Sequence, residues 1–368
     1  MHKAYKFRLY PTKEQQGVIN KIIGSCRYVY NYFLHKKSET YKASKKTLTY
    51  NQCAADLKEL KQELTWLKDV DSVALQQSLR DLETSYKNFF QHGAGFPKFK
   101  SKRGSKQTYR TQMVNNNIKI IGDTLVLPKI GAVSFVKSQD VVGNITSVTV
   151  KKAASGKYFV SILAETEAIE ALPPTEQKVG IDLGVKDIAV LSSGEAIANP
   201  KVLVKAEKKL VRLQKALSKK EQGSNNREKA RKKLAIQHEK VANIRKDFLH
   251  KISTRLIHEN QVICLETLNT KNLMKNRRLS KAIGDVGWGT LKQMLIYKAD
   301  WYGRTVHFVP RFFPSSQQCS VCGHKNDRVK DLAVREWQCP ACQATHQRDV
   351  NASINILKQG LMELGIAA

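Results

Sequence analysis

Lys178-Val-Gly-Ile-Asp182-Leu-Gly184-Val-Lys-Asp187-Ile-Ala-Val-Leu191 decides how the second half of this chain is read. Two short apolar runs flank a glycine-bearing turn, the pattern of a strand, a turn and a second strand. The first run ends on a carboxylate, Asp182, where an apolar strand entering a core has no use for a charge unless something there needs it. Gln261-Val-Ile-Cys-Leu-Glu266 repeats that pattern further along. A third carboxylate, Asp349, stands in Arg348-Asp-Val-Asn-Ala352, where the last helix begins before running on from Val350 to about Leu364. Taken alone, Asp182 is equally a turn residue and Asp349 equally a helix N-terminal charge.

Together they point to chemistry. A hairpin strand, a later parallel strand and a helix, each offering one carboxylate, is how a ribonuclease-H-like fold gathers a divalent-metal site. Three such groups repel one another unless Mg2+ lies between them, and two Mg2+ suit phosphodiester hydrolysis. Between the first two acids, residues 201–222 and 227–257 read as two basic helices broken at Gly223-Ser-Asn-Asn226. Leu203, Ala206, Leu210, Leu213 and Leu217 form a coiled-coil-like seam on the first. Residues 287–303 read as a helix and Thr305–Val309 as a strand.

Before the third acid stand Cys319-x2-Cys322 and Cys339-x2-Cys342, separated by 16 residues. Two such knuckles set four thiolates around one structural Zn2+ with no open coordination position. The other readings are two disulfides or coincidence. His324 and His346 lie nearby and read as bystanders. Cys26, Cys53 and Cys264 fall singly in apolar-periodic segments and read as buried small hydrophobes.

Upstream, Ala171-Leu-Pro-Pro-Thr-Glu176 is a stiff linker and the best domain boundary. The chain opens on a strand in which Tyr5, Phe7 and Leu9 alternate with Lys6 and Arg8. Thr12 and Gln15 are spaced as a capping box for a following helix, and helical stretches at about 50–65 and 71–91 complete an insert closed by Gly93 and Gly95. From Phe96 to about Glu167 the pattern turns to strands, so the N-terminal strand and this set make one β-barrel interrupted by the helical insert. Phe96-Pro-Lys98-Phe99-Lys100-Ser-Lys102-Arg103, continuing to Tyr109-Arg110, interleaves cations with rings. That suits RNA, and it equally suits an edge strand with phenylalanines inward and lysines in solvent.

The 368 residues carry 63 Lys+Arg against 32 Asp+Glu, a net charge of +31. The excess is spread along the chain, with 16 basic and 5 acidic residues between 201 and 250. A spread of this kind favours nucleic acid over a membrane surface. No apolar run approaches a membrane span and the N-terminus has no apolar signal core, so a cytoplasmic protein working on nucleic acid, with no membrane partner, is expected.

Gly180-Ile-Asp-Leu-Gly-Val-Lys-Asp187, Leu265-Glu-Thr-Leu-Asn269, Ser316-Gln-Gln-Cys-Ser-Val-Cys-Gly323, Trp337-Gln-Cys-Pro-Ala-Cys342 and Arg348-Asp-Val-Asn-Ala-Ser-Ile-Asn355 resemble TnpB. These are transposon-encoded RNA-guided DNA nucleases of the OrfB family, related to type V CRISPR effectors. Phe7-Arg-Leu-Tyr-Pro11 and Gly95-Phe-Pro-Lys-Phe99 extend the likeness over nearly the whole chain. The resemblance implies an α/β multidomain protein. Its parts are a wedge β-barrel (1–11 and 94–172), a helical recognition insert (12–93), a RuvC nuclease domain (177–315 and 346–368) and a four-cysteine zinc ribbon (316–345). It implies that Asp182, Glu266 and Asp349 are catalytic, that a guide RNA from the transposon end is bound, and that double-stranded DNA is cut beside a short flanking motif by a monomeric ribonucleoprotein. It places Tyr50, Ser72, Gln76 and Val114 on the motif-reading surface, and the basic residues Lys98, Lys100, Lys102, Arg103 and Arg110 suit nucleic-acid backbone. Gln347 stands where the family often has Asp, and Gln343 replaces the Gly that usually follows the fourth cysteine. The rival from another class is a nuclease-dead, RNA-guided DNA-binding repressor; such relatives lose acids, and here all three are present.

Overall fold

The computed structural model describes the whole chain except residues 105, 278, 332 and 368 and the side chain of Lys271. It forms two compact units, Met1–Glu167 and Ala168–Ala368.

In the first unit, β1 (His2–Tyr10) leads into α1 (Lys13–Ser44), α2 (Tyr50–Glu63) and α3 (Ser72–His92). Then come β2 (Gln107–Gln112), β3 (Lys119–Ile121), β4 (Thr124–Leu127), β5 (Gly131–Val136), β6 (Asn144–Lys152) and β7 (Tyr158–Glu165). The strands make one antiparallel sheet in the order β2-β6-β7-β1-β5-β4-β3, curled into a half-barrel. The alternation in β1 explains its central place: Tyr5, Phe7 and Leu9 are buried, and it pairs β7 on one side and β5 on the other. The capping box forms as the spacing predicts. The Gln15 N–H donates to Thr12 Oγ1 and the Thr12 N–H to Gln15 Oε1, at 3.3 and 3.0 Å. Ile19, Ile22, Val29 and Phe33 of α1 and Leu75, Leu79 and Leu82 of α3 share one core with the sheet. Strand β2 begins within the basic-aromatic stretch and pairs with β6.

The second unit opens with β8 (Lys178–Asp182), β9 (Asp187–Leu191) and β10 (Ala196–Ala198), followed by α4 (Val202–Ser218), α5 (Asn225–Glu259) and β11 (Val262–Glu266). It continues with α6 (Thr270–Leu273), α7 (Ser280–Val286), α8 (Trp288–Tyr302), β12 (Thr305–Val309), the small hairpin β13 (Glu336–Gln338) and β14 (Thr345–Gln347), and α9 (Arg348–Glu363). Its five-stranded sheet runs β10-β9-β8-β11-β12, with β8, β11 and β12 parallel and β9 antiparallel to both its neighbours, β8 and β10. The seam on α4 packs against Leu234 and Val241 of α5. The linker is held by Arg304, whose guanidinium donates to Pro173 O at 2.8 Å and to Gln261 Oε1 at 2.8 Å.

Among the described residues, no helix is long and apolar enough to cross a membrane. Cys26, Cys53 and Cys264 are buried thiols, as their apolar surroundings predict.

Candidate active site

The order of the five-stranded sheet reverses at β8 and β11, and ligands of open α/β sheets bind outside the carboxyl ends of strands at such a point. Ile181 pairs in register with Leu265, so Asp182 and Glu266 stand side by side as the last residues of these two strands. Helix α9 crosses the same strands, and its second residue is Asp349. The helix approaches closely because two side chains are missing. A β-carbon at Gly180 would overlap Ser353 O and lie 2.7 Å from Leu357 N, and one at Gly360 would overlap Cys264 Sγ.

The resulting electrostatics suit a cation. Burial, then the charges of Glu266 and Asp349, push Asp182 up to about 8, opposed by Arg348 and the Leu183 N–H. Burial pushes Glu266 up to about 7, although the Leu183 N–H donates to its Oε1 at 3.2 Å. Asp349 meets Arg335 Nη1 at 3.4 Å. Ionising these carboxyls together is therefore costly, and divalent cations bound by oxygen ligands would relieve that cost. Arg335, and the electrostatic part played by Arg348, were not legible in the sequence, because a cation beside an acid in a basic chain carries no periodic signal.

The four cysteines are the one set of His, Cys, Asp or Glu, among the described residues, whose ligand atoms all lie within 4.8 Å of one another. Cys319 and Cys342 Sγ are 3.6 Å apart, as are Cys322 and Cys339. Tetrahedral Zn2+ with bonds of about 2.3 Å requires sulfurs about 3.8 Å apart, so the donor set fits. The two knuckles are built alike. Gly323 N donates to Cys319 O and Gln343 N to Cys339 O, each at 2.9 Å, and both turn residues have positive φ, +77° and +61°. Gln343 thus occupies a backbone conformation that favours glycine. His346 is outside the four-sulfur set but touches it. Its Nε2 lies 3.0 Å from Cys319 Sγ, and β13–β14 pairing sets its ring against Trp337.

Two asparagines of α9 tie this ribbon to the acids. Asn351 accepts from Ser320 N and donates to Gln318 O, at 2.9 and 2.7 Å. Asn355 Nδ2 reaches Ser315 O and Gln318 O at 2.8 and 2.6 Å. Gln347 caps the helix, its Oε1 accepting from Val350 N at 2.8 Å.

The residues placed by resemblance on a motif-reading surface belong to the first unit. Ser72, Gln76 and Val114 are exposed, and Tyr50 is half-buried. The Arg80 guanidinium covers the Tyr50 ring at 4.7 Å and Lys61 Nζ donates to Ser72 Oγ at 2.7 Å, two cations the sequence did not single out. In the basic-aromatic stretch Lys98, Lys102 and Arg103 are exposed. Lys100 is half-buried with its ammonium 3.7 Å from the Tyr30 ring centre, and burial pulls its pKa down. Arg110 pairs with Asp81 at 2.9 Å.

Strand order, paired carboxylates at the switch point and the crossing helix place the second unit in the ribonuclease-H-like class, with a cysteine ribbon inserted before the last helix. Three family models match consecutive stretches. They are a helix-turn-helix domain of the OrfB IS605 type over residues 1–46, "Probable transposase" over 161–277, and "Cas12f1-like, TNB domain" over 288–356. Residues 1–46 fold here as a strand and one long helix. A "Putative RNA-guided DNA endonuclease" of Streptomyces pristinaespiralis is 39% identical over 364 residues, covering 98% of this chain and 89% of the relative. "Putative RNA-guided DNA endonuclease InsQ" of Escherichia coli K12 is 36% identical over 379 residues, 97% of this chain and 92% of the relative. The protein chain of a solved Cas12f1-sgRNA-target DNA complex superposes with a TM-score of 0.59 over 97% of this chain and 98% of that one, at 13% identity, a likeness of fold. The chain belongs to the TnpB (OrfB) family.

Proposed function

We propose that this protein is an RNA-guided, Mg2+-dependent endonuclease that cuts double-stranded DNA beside a short flanking motif. The observation that supports the reading is the pair Asp182 and Glu266 side by side at the switch point, both raised by burial, with Asp182 raised further by the charges of Glu266 and Asp349.

Asp182, Glu266 and Asp349 would hold two Mg2+, which when bound supply the Lewis acidity that phosphodiester hydrolysis needs. The Leu183 N–H fixes the Glu266 carboxylate, and Arg335 steadies Asp349 from the ribbon side. In-line attack of water on the scissile phosphorus, with departure of the 3′-oxygen, leaves 5′-phosphate ends. Cys319, Cys322, Cys339 and Cys342 would hold Zn2+, which would brace the ribbon on which Asn351 and Asn355 anchor the start of α9.

Sequence selection falls to pairing between a transposon-end guide RNA and one DNA strand, while Tyr50, Ser72, Gln76 and Val114 read the flanking duplex. Lys98, Lys102 and Arg103 grip phosphate. Lys100 and Arg110 serve the same track from positions already engaged with Tyr30 and Asp81. The complex acts in the cytoplasm as a monomeric ribonucleoprotein. In a plasmid assay with co-purified RNA and Mg2+, Asp182→Ala, Glu266→Ala and Asp349→Ala should each abolish cutting and leave guided binding intact. Binding by the unmodified protein without any cutting refutes the reading.

A further inference from the structure

Two cavities in the first unit are lined by none of the three acids or four cysteines, although the second includes Lys100 and Arg110. One, of about 550 Å3, is an open cleft lined by Tyr28, Tyr32, Trp66, Lys21 and Arg27 among others. Its rings already show edge-to-face and stacked geometry: Tyr28 meets Trp66 at 5.2 Å and Tyr32 at 6.1 Å. Tyr28 and Trp66 are 39% and 37% exposed, so their rings are open to a ligand. The second cavity, of about 530 Å3, is polar. It is lined by Gln77, Asp81, Lys100, Lys106, Tyr109 and Arg110, among others.

Arg27 lines both cavities, so they adjoin. A backbone clamp also links them. Asn31, at the aromatic cleft, donates to Lys100 O at 2.9 Å and accepts from Lys100 N at 2.8 Å, which sets the Lys100 ammonium beside the polar cavity. In the polar cavity the charges are four cations, Arg27, Lys100, Lys106 and Arg110, against Asp81 alone, and Asp81 is already paired with Arg110. Gln77 and Tyr109 are each 4% exposed, yet Gln77 Oε1 and the Tyr109 hydroxyl have no hydrogen-bond partner in the protein. A buried acceptor and a buried hydroxyl left unmade in the wall of a cavity favour a ligand that brings both complements.

We infer that the two cavities hold consecutive unpaired nucleotides of a nucleic-acid strand. One base stacks among Tyr28, Tyr32 and Trp66. The phosphate that follows lies on Arg27, and the next base enters the polar cavity with its edge toward Gln77 and Tyr109. Each cavity lies within the 300–1,000 Å3 range of small-ligand sites, roomy enough for one base with its sugar. Stacking rings beside fixed cations are what unpaired strands seek, and the pairing of an aromatic cleft with a polar one suits a base, which has an apolar face and a hydrogen-bonding edge. The inference rests on the proposed function only for the source of the strand, which is either guide RNA or opened DNA.

The full-length protein with its co-purified RNA is irradiated at short wavelength, with and without a bound target plasmid, and cross-linked peptides are mapped. Cross-links to Tyr28, Tyr32 or Trp66 are expected. RNA adducts in both samples assign the strand to the guide, and DNA adducts present only with target assign it to the opened duplex. In parallel, Tyr28→Ala with Trp66→Ala should weaken binding of the assigned strand by tenfold or more, stacking being worth about 1–3 kcal/mol per base. Tyr28→Phe, which keeps the ring, should bind as the unmodified protein does, and Gln77→Leu should lower affinity while the melting temperature holds or rises. No adduct in the cleft, with unchanged affinity for RNA and DNA in the double variant, overturns the inference. An unmodified protein that binds no RNA overturns instead the function proposed above.

Discussion

Replacing Gly180 by alanine tests whether the distance between sheet and helix sets the catalytic geometry. The new β-carbon would stand 2.7 Å from Leu357 N and 2.8 Å from Leu357 Cβ, and closer still to Ser353 O, against an ordinary contact of 3.4–4 Å. Relieving the clash with Leu357 N alone requires α9 to retreat by about 0.7 Å, and with Ser353 O by more. The obstacle is helix backbone, so no rotamer change can absorb it. The retreat opens a gap beneath Ala352 and Ile356, which are 1% and 0% exposed. Overpacking of this kind costs about 1–3 kcal/mol. Catalytic constellations tolerate about 0.5 Å, and a displacement near 1 Å costs about 100-fold. Gly180→Ala should therefore cut target DNA about 100-fold more slowly in single turnover, with a lowered melting temperature and unchanged guided binding. Gly360→Ala supplies the contrast, because its obstacle is the side chain of Cys264. Adding Cys264→Ala removes the nearer clash and leaves a β-carbon contact at 2.8 Å, so the double variant should recover part of the loss. Unmodified cutting and melting in Gly180→Ala would show that α9 is free to shift without moving Asp349.

Because the folded protein raises Asp182 to about 8 and Glu266 to about 7, it holds protons more tightly than the unfolded chain. In Mg2+-free buffer its melting temperature should fall as pH rises from the ordinary carboxylate range toward 8, and Mg2+ should restore it at the alkaline end and do little at the acid end. A flat profile in both conditions contradicts the crowding of the acids. Metal analysis should find about one Zn2+ per chain. Cys339→Ser should lose the metal and the cutting together, since Asn351 and Asn355 anchor α9 on the first knuckle; full activity in a zinc-free protein would refute that coupling. Gln343→Gly should raise the melting temperature, by about 1 kcal/mol of relieved left-handed strain, and a lowered value would show that the glutamine side chain supports the ribbon.

Much of this protein could be read from its sequence because its signals are local. The capping box at Thr12, the alternation in β1, the seam on α4 and the spacing of four cysteines each depend on residues a few positions apart, and the structure realises each of them. The acids were legible for a different reason: a carboxylate that ends an apolar strand breaks the local rule, and such a break persists only where something uses it. What stayed hidden depends on partners far along the chain. His346 reaches Cys319 across 27 residues, and Arg335 meets Asp349 only because β13 and β14 close a hairpin between them. The two cavities are the extreme case. Tyr28, Trp66 and Gln77 were not singled out, because none of them breaks a local pattern. Only the packing of α1 and α3 against β2 brings an unsatisfied amide, an unsatisfied phenol and a row of cations to one place. A sequence predicts which groups are apolar, but not which polar groups the fold will bury without a partner, and those are where a ligand has most to offer.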